Sequence, residues 1–187
     1  MKVNLGISNR HVHLTEEDYI FLFGNNKIEK QKDLTQLGEF ASNSKVTLKT
    51  EKSVINNVRV LGPFRSYSQV EISKTDSYVL GIDPPVRNSG DINGSEDITI
   101  IGPCGELKRS CCIIATRHLH INHADREKLN LLDKEVISIK VGDEIKSAIL
   151  NNVYVKETPN GVLEVHLDTD DANANLLKNK DQVELIY

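Results

Sequence analysis

One motif occurs twice in this 187-residue chain and constrains it more than anything else: Arg10-His11-Val12-His13-Leu14 and Arg117-His118-Leu119-His120-Ile121. Each copy follows a short apolar run, Val3, Leu5 and Ile7 in one case and Cys112, Ile113 and Ile114 in the other. Each also precedes a helix-start signal. In extended backbone, residues two apart project to the same side. His11 and His13 therefore point together, as do His118 and His120, and four of the six histidines fall in these two places. Neutral imidazole is the commonest metal ligand near neutral pH, and paired imidazoles suit zinc or another late first-row ion. A single His-x-His is a weak signal, and duplication in a matching strand-to-helix setting gives it weight. The bland alternative is two structural turns that share side chains by duplication.

Around this duplication the pattern is one of short strands. Residues 2–7 alternate polar and apolar, as a half-buried strand does. Thr15 followed by Glu16, Glu17 and Asp18 reads as an N-cap with acids in the first turn, and Gly24 closes that helix. Residues 25–35 are polar and read as a loop. Residues 45–49 and 54–60 alternate as strands, and Gly62-Pro63 and Gly102-Pro103 end two similar runs in turns. Residues 69–73 alternate again, and a loop bearing Gly and Pro follows over residues 81–94. After the second motif, Asn122 caps a helix over residues 124–129. Residues 136–140, 145–155 and 162–167 alternate as strands, residues 168–177 form a short capped helix, and residues 182–186 a closing strand. Many short strands with few short helices predict a mainly β fold of barrels or sandwiches. The weak duplication predicts two related β-rich halves, residues 1–90 and 91–187, between which strands could be exchanged.

Composition narrows the partners. A net charge of −4, a pI near 5.9 and 5% aromatic residues without Trp argue against nucleic acid, which needs a cationic surface and stacking platforms. A small anion held by a few local Arg and Lys remains compatible. No apolar run reaches membrane-spanning length, and the alternating first seven residues do not resemble a signal peptide. Three cysteines, two of them adjacent, do not suit a disulfide scaffold. The expectation is a cytoplasmic protein with no membrane partner.

Several single residues stand out. His166 lies within an apolar alternation, a costly place for an unpaired imidazole, and is a candidate fifth histidine ligand. His123, at a helix start, is expected to face water. Glu71 sits between Val70 and Ile72 and is either a solvent-facing carboxylate or an oxygen ligand that completes one His pair. Arg65, after Gly62-Pro63-Phe64, is either an ordinary surface arginine or a fork for phosphate or carboxylate. Cys111 and Cys112 read as small apolar fillers and Cys104 as a loop residue. There is no phosphate-binding Gly-rich loop, no Gly-x-Ser-x-Gly elbow and no dinucleotide fingerprint.

At these residues the chain resembles the PduL-type phosphotransacylases, also called phosphate propanoyltransferases. The resemblance covers nearly the whole length. It is carried by Ser8-Asn9-Arg10-His11-Val12-His13-Leu14-Thr15, Gly62-Pro63-Phe64-Arg65, Gln69-Val70-Glu71-Ile72-Ser73, Arg117-His118-Leu119-His120 and residues 165–174 from Val165 through His166 to Ala174. It implies two β-barrels with short helices, an active site in the cleft between them holding two zinc ions per chain, and the reaction acyl-CoA + phosphate ⇌ acyl-phosphate + CoA. It implies one zinc on His11, His13 and Glu71 and the other on His118, His120 and His166. It also implies that Arg65 is the essential catalytic arginine that binds phosphate. Ser8, Lys32, Arg59, Leu61, His166 and Asn173 match CoA-binding positions. Members that enter bacterial microcompartments carry an amphipathic N-terminal extension. Here the first strand starts at Met1-Lys2-Val3, so a free cytoplasmic enzyme is expected.

In the mechanism these residues suggest, zinc beside Glu71 stabilises the CoA thiolate and Arg65 neutralises the incoming phosphate. Transfer is direct, since no Ser or Cys nucleophile is evident. The competing readings are a metal-dependent thioester or ester hydrolase on the same scaffold, and a non-catalytic β protein in which zinc only staples two small halves. The acyl chain, propanoyl or acetyl, is not encoded legibly, because one methylene is worth only about 1–3 kcal/mol in an apolar pocket. A homodimer is the expected assembly.

Overall fold

Period-two alternation becomes strand wherever one face can be buried: β1 (Lys2–Ser8) buries Val3 and Leu5 and leaves Lys2 and Asn4 exposed. The computed structural model describes residues 1–187. After β1 the chain forms β2 (His11–His13), α1 (Glu16–Phe23), β3 (Lys30–Asp33), β4 (Phe40–Lys49), β5 (Val54–Gly62) and β6 (Gln69–Glu71). It continues through α2 (Lys74–Leu80), β7 (Val86–Arg87), β8 (Glu96–Ile101), β9 (Glu106–Ala115), β10 (His118–Ile121) and α3 (His123–Lys128). It ends with β11 (Val136–Val141), β12 (Ala148–Glu157), β13 (Glu164–Asp168), α4 (Thr169–Ala174) and β14 (Gln182–Ile186).

The chain divides into two compact units, residues 10–115 and residues 1–9 with 116–187. In the first, β4-β5-β2-β6-β9-β8 closes into a six-stranded barrel because β8 pairs with both β9 and β4. In the second, β1-β13-β10-β12-β11-β14 closes likewise. The two barrels share one wiring. β2 lies parallel to β5 and antiparallel to β6, and β10 lies parallel to β12 and antiparallel to β13. β6 is then parallel to β9, and β13 is parallel to β1. So β9 does in one barrel what β1 does in the other. Yet β1 leads in sequence to β2, and β9 leads to β10, so the chain changes unit just before each Arg-His-x-His motif.

The mainly β, two-barrel architecture is the one expected. The division is not at residue 90: residues 1–9 belong with residues 116–187, and residues 91–115 with the first unit. Periodicity reports that a segment is a strand but not which strand it pairs with. Each barrel is filled by aliphatic side chains. Val12, Val46, Leu48, Val58, Val60, Val70, Ile98 and Ile100 belong to one core, and Leu5, Leu119, Ile121, Ile139, Val153, Val165 and Val183 to the other. Each such side chain stabilises by roughly 1.5–3 kcal/mol when fully buried.

The helices start at polar caps. Thr15, Asn122 and Asp168 each accept the backbone N–H three residues on, as their sequence positions predict. α2 was not anticipated, although Ser73 and Asp76 form a reciprocal capping box and Gly81, at φ 70°, closes the helix. β3 replaces an expected loop; its four residues are all exposed, so no alternation announced it. No helix is long and apolar enough to cross a membrane.

Candidate metal centres and their neighbours

In β2, Val12 belongs to the barrel core, so His11 and His13 share the opposite face, where both are buried. β6 repeats the arrangement, with Val70 in the core and Gln69 and Glu71 on the other side. Antiparallel register sets His11 opposite Glu71 and His13 opposite Gln69. On the other flank, β5 aligns Arg59 with His11 and Leu61 with His13. One donor atom from each of His11, His13 and Glu71 lies within 4.8 Å of the others. The two imidazoles meet edge-on at 5.0 Å, and Nε2 of His11 is 3.5 Å from Oε2 of Glu71. Glu71 is only 8% exposed, so it is not a solvent-facing carboxylate. Its Oε1 accepts from Nε2 of the fully buried Gln69 at 2.6 Å. The Gln69 amide also donates to Ser89 Oγ at 3.1 Å and accepts the Gly90 N–H at 2.8 Å.

The second barrel builds the same face with one exchange. Leu119 and Val165 lie in the core, and register sets His118 opposite His166 and His120 opposite Glu164. The three rings converge with centroids 4.5–5.2 Å apart, and their donor atoms lie within 4.8 Å of one another. His118 Nδ1 is 2.8 Å from the Thr116 carbonyl, which can only accept, so the proton sits there and Nε2 carries the lone pair. That Nε2 is 3.1 Å from Nε2 of His120. One group offers two imidazoles and a carboxylate and the other three imidazoles, donor sets that suit zinc rather than the all-oxygen shells calcium and magnesium prefer.

Two further residues, Glu164 and Gly6, neighbour the second group. Glu164 is 4% exposed, and its Oε2 lies 2.7 Å from Nε2 of His166. Gly6 aligns with His166 across the parallel β1–β13 pair, and a Cβ there would come within 2.7 Å of His166 Cδ2 and 2.8 Å of Nε2. The imidazole needs the room that glycine leaves. In the first barrel the aligned residue beside the smaller Glu71 is Ile113.

The motif arginines do not join the donor groups. Arg10 holds Asp76 of α2, with Nε at 2.9 Å and Nη2 at 2.7 Å from its two oxygens. Arg117 holds Asp171 of α4 with contacts of 2.6 and 2.8 Å, and hydrogen bonding to Asp171 raises the guanidinium pKa further. Each arginine thus ties a His-pair strand to the helix that follows the paired strand.

Arg65 is anchored by its backbone N–H to the Leu14 carbonyl at 3.0 Å. Its Nη2 donates to Glu39 Oε1 at 2.9 Å, and its Nη1 makes long contacts of 3.4 Å to Tyr67 Oη and Ser89 Oγ. Ser89 therefore stands between Arg65 and the Gln69–Glu71 pair. Of the residues matching CoA positions, Arg59 and Leu61 share the face of His11 and His13. Arg59 also donates to the Ser42 carbonyl. Lys32 is exposed in β3. Ser8 ends β1 aligned with Asp168, and Asn173 is exposed in α4. Cys111 and Cys112 lie in the core; burial pushes the Cys111 thiol up to about 12 and Cys112 higher still. His123 is exposed and pairs with Glu157 at 3.0 Å.

Sequence reasoning overlooked Glu39, Gln69, Ser89, Glu164 and Gly6. The duplication carried a signal for two of them. Gln69-Val70-Glu71 and Glu164-Val165-His166 are the same polar-Val-polar step on the strand facing each His pair.

Comparison with known proteins places these features in a family setting. The family described as phosphate propanoyltransferase matches residues 4–178. A protein named phosphate propanoyltransferase from Thermotoga maritima is 44% identical over 184 residues, which is 97% of this chain and 88% of the relative. Proteins of the same name from Citrobacter freundii and Limosilactobacillus reuteri are 44% and 41% identical over 173 residues. Those alignments cover 92% of this chain and 82% and 81% of the relatives.

Proposed function

We propose, on the premise that this chain belongs to the phosphate propanoyltransferase family, that it interconverts acyl-CoA and phosphate with acyl-phosphate and CoA. The acyl group is short, propanoyl or acetyl, and two zinc ions serve the reaction, one on each three-residue group. The chain is an acyltransferase, as its relatives are. The observation that carries the zinc reading is the pair of groups His11, His13, Glu71 and His118, His120, His166, each with its donor atoms within 4.8 Å. Bound zinc supplies Lewis acidity, which favours a CoA thiolate and a polarised thioester carbonyl.

The chain's own residues do the rest. Arg65 binds the phosphate dianion through the fork nitrogens that Glu39 leaves free, and Glu39 fixes the guanidinium plane. A phosphate oxygen attacks the thioester carbonyl carbon, the C–S bond breaks, and CoA leaves as thiolate. Arg59 and Leu61, beside the His11–His13 face, contact CoA, as do Ser8, Lys32, His166 and Asn173. Direct transfer is supported by the two buried thiols, which stay protonated and turned into the core.

The test is thiol release from acetyl-, propanoyl- and butanoyl-CoA with and without phosphate. Release that requires phosphate and yields acyl-phosphate, trapped as its hydroxamate, supports the reading. Release that proceeds equally well without phosphate would make the protein a hydrolase.

A further inference from the structure

The two donor faces differ at two register positions, and the differences compensate. In the first barrel the strand facing the His pair presents Gln69 and Glu71, a neutral amide and then a carboxylate. In the second it presents Glu164 and His166, a carboxylate and then an imidazole. Each face therefore carries two imidazoles from the Arg-His-x-His strand and one carboxylate, placed one step apart along the facing strand. The neighbour suits the ligand in both cases. A carboxylate ligand needs a donor to hold it, and Gln69 donates to Glu71 at 2.6 Å. An imidazole ligand needs an acceptor, and Glu164 stands 2.7 Å from His166 Nε2. A carboxylate that is 4% exposed would be costly to keep there without a cationic or hydrogen-bonding partner.

We propose that Glu164 is the anionic member of the His118–His120–His166 centre. It is a positioning residue that fixes the His166 ring and supplies the negative charge that strengthens the centre's hold on a divalent cation. Carboxylates that hydrogen-bond a ligating histidine orient the ring and raise its basicity, and losing one typically lowers metal affinity about 10- to 100-fold. Gly6 is the steric counterpart of this arrangement, because its missing Cβ leaves the space that His166 and the Glu164 carboxyl carbon fill. The inference rests on the zinc reading above and adds a residue outside the six proposed ligands.

The experiment is zinc binding to the full chain, measured by competition with a chromophoric chelator, for wild type and for Glu164→Gln and Glu164→Asp. The absorption spectrum of the cobalt-substituted proteins is recorded in parallel. Wild type should bind two equivalents. Glu164→Gln should weaken one of them 10- to 100-fold, change the cobalt spectrum of that equivalent, and leave the other unchanged. Glu164→Asp, which keeps the charge, should recover part of the loss and carries the comparison if the Gln variant does not fold. Two equivalents of wild-type affinity in the variants would overturn the role of Glu164 and leave the zinc reading standing. A wild-type chain that binds no zinc would overturn both.

Discussion

Arg10 grips Asp76 through two charge-assisted hydrogen bonds, Nε to Oδ2 at 2.9 Å and Nη2 to Oδ1 at 2.7 Å, and so ties the strand of His11 and His13 to the start of α2. Arg117 and Asp171 repeat the tie in the other barrel. The two ties differ in burial: the Asp76 side chain is 4% exposed and that of Asp171 22%.

That difference orders two variants. Removing Arg10 leaves a buried carboxylate without its counter-ion, and a hydrogen bond to a charged group contributes roughly 1.5–3 kcal/mol. Arg10 is itself more than a third exposed, so solvent screening reduces its share. Arg10→Ala should lower stability by about 1–2 kcal/mol and Arg117→Ala by less, both read from urea unfolding midpoints. Equal losses, or a larger loss at Arg117, would mean that burial of the aspartate does not govern the tie.

The legible part of this fold follows from what alternation can and cannot say. Strand positions such as residues 2–7, 54–60 and 182–186 announce themselves because one face is aliphatic and the other polar. The duplicated motif likewise points to two imidazole pairs, since side chains two apart on a strand share a face. Partners are a different matter. Nothing in Lys2–Ser8 reveals that it closes the barrel of residues 116–187 rather than the one its neighbour β2 enters. α2 had a readable Ser73–Asp76 box, but its apolar face is confined to a single turn and makes no period. Gly6 acquires its meaning only through register, which sets it beside His166, whereas Glu164, set opposite His120, also carried the faint signal of the duplicated step.

Gly6→Ala tests the packing of the second centre without replacing any of its polar residues. Its new Cβ would press on His166 at under 3 Å, and the ring must turn or the strands must part. Overpacking of this kind costs about 1–3 kcal/mol. The variant should lose stability by that amount and weaken one zinc equivalent, read by thermal unfolding of metal-free protein and by metal titration. Unchanged zinc affinity in a folded variant would show that the ring need not stay where it is.

Arg65→Ala should keep the fold, because the side chain serves mainly the partly exposed Glu39. Turnover should fall about 10²- to 10³-fold, the usual cost of removing a group that stabilises transition-state charge. Steady-state kinetics at saturating acyl-CoA and varied phosphate read this out. Near-normal turnover at ordinary phosphate concentration would remove Arg65 from the phosphate site.

The cysteines give an independent check on the core. Burial raises Cys111 to about 12 and Cys112 further, so both are thiols at pH 8, whereas Cys104 is exposed. Native protein should take up one equivalent of iodoacetamide quickly, and denatured protein three, with the site read by peptide mass spectrometry. Rapid native labelling of Cys111 or Cys112 would contradict the packing of β9.

The proposed function requires two cations, one on His11, His13 and Glu71 and one on His118, His120 and His166, whose donor atoms converge in each group. Elemental analysis of tag-free protein, combined with phosphate-dependent thiol release before and after chelation, tests it most directly. Two zinc ions per chain, activity abolished on their verified removal and restored by zinc, is the predicted result. Full turnover in protein that contains no transition metal would contradict it.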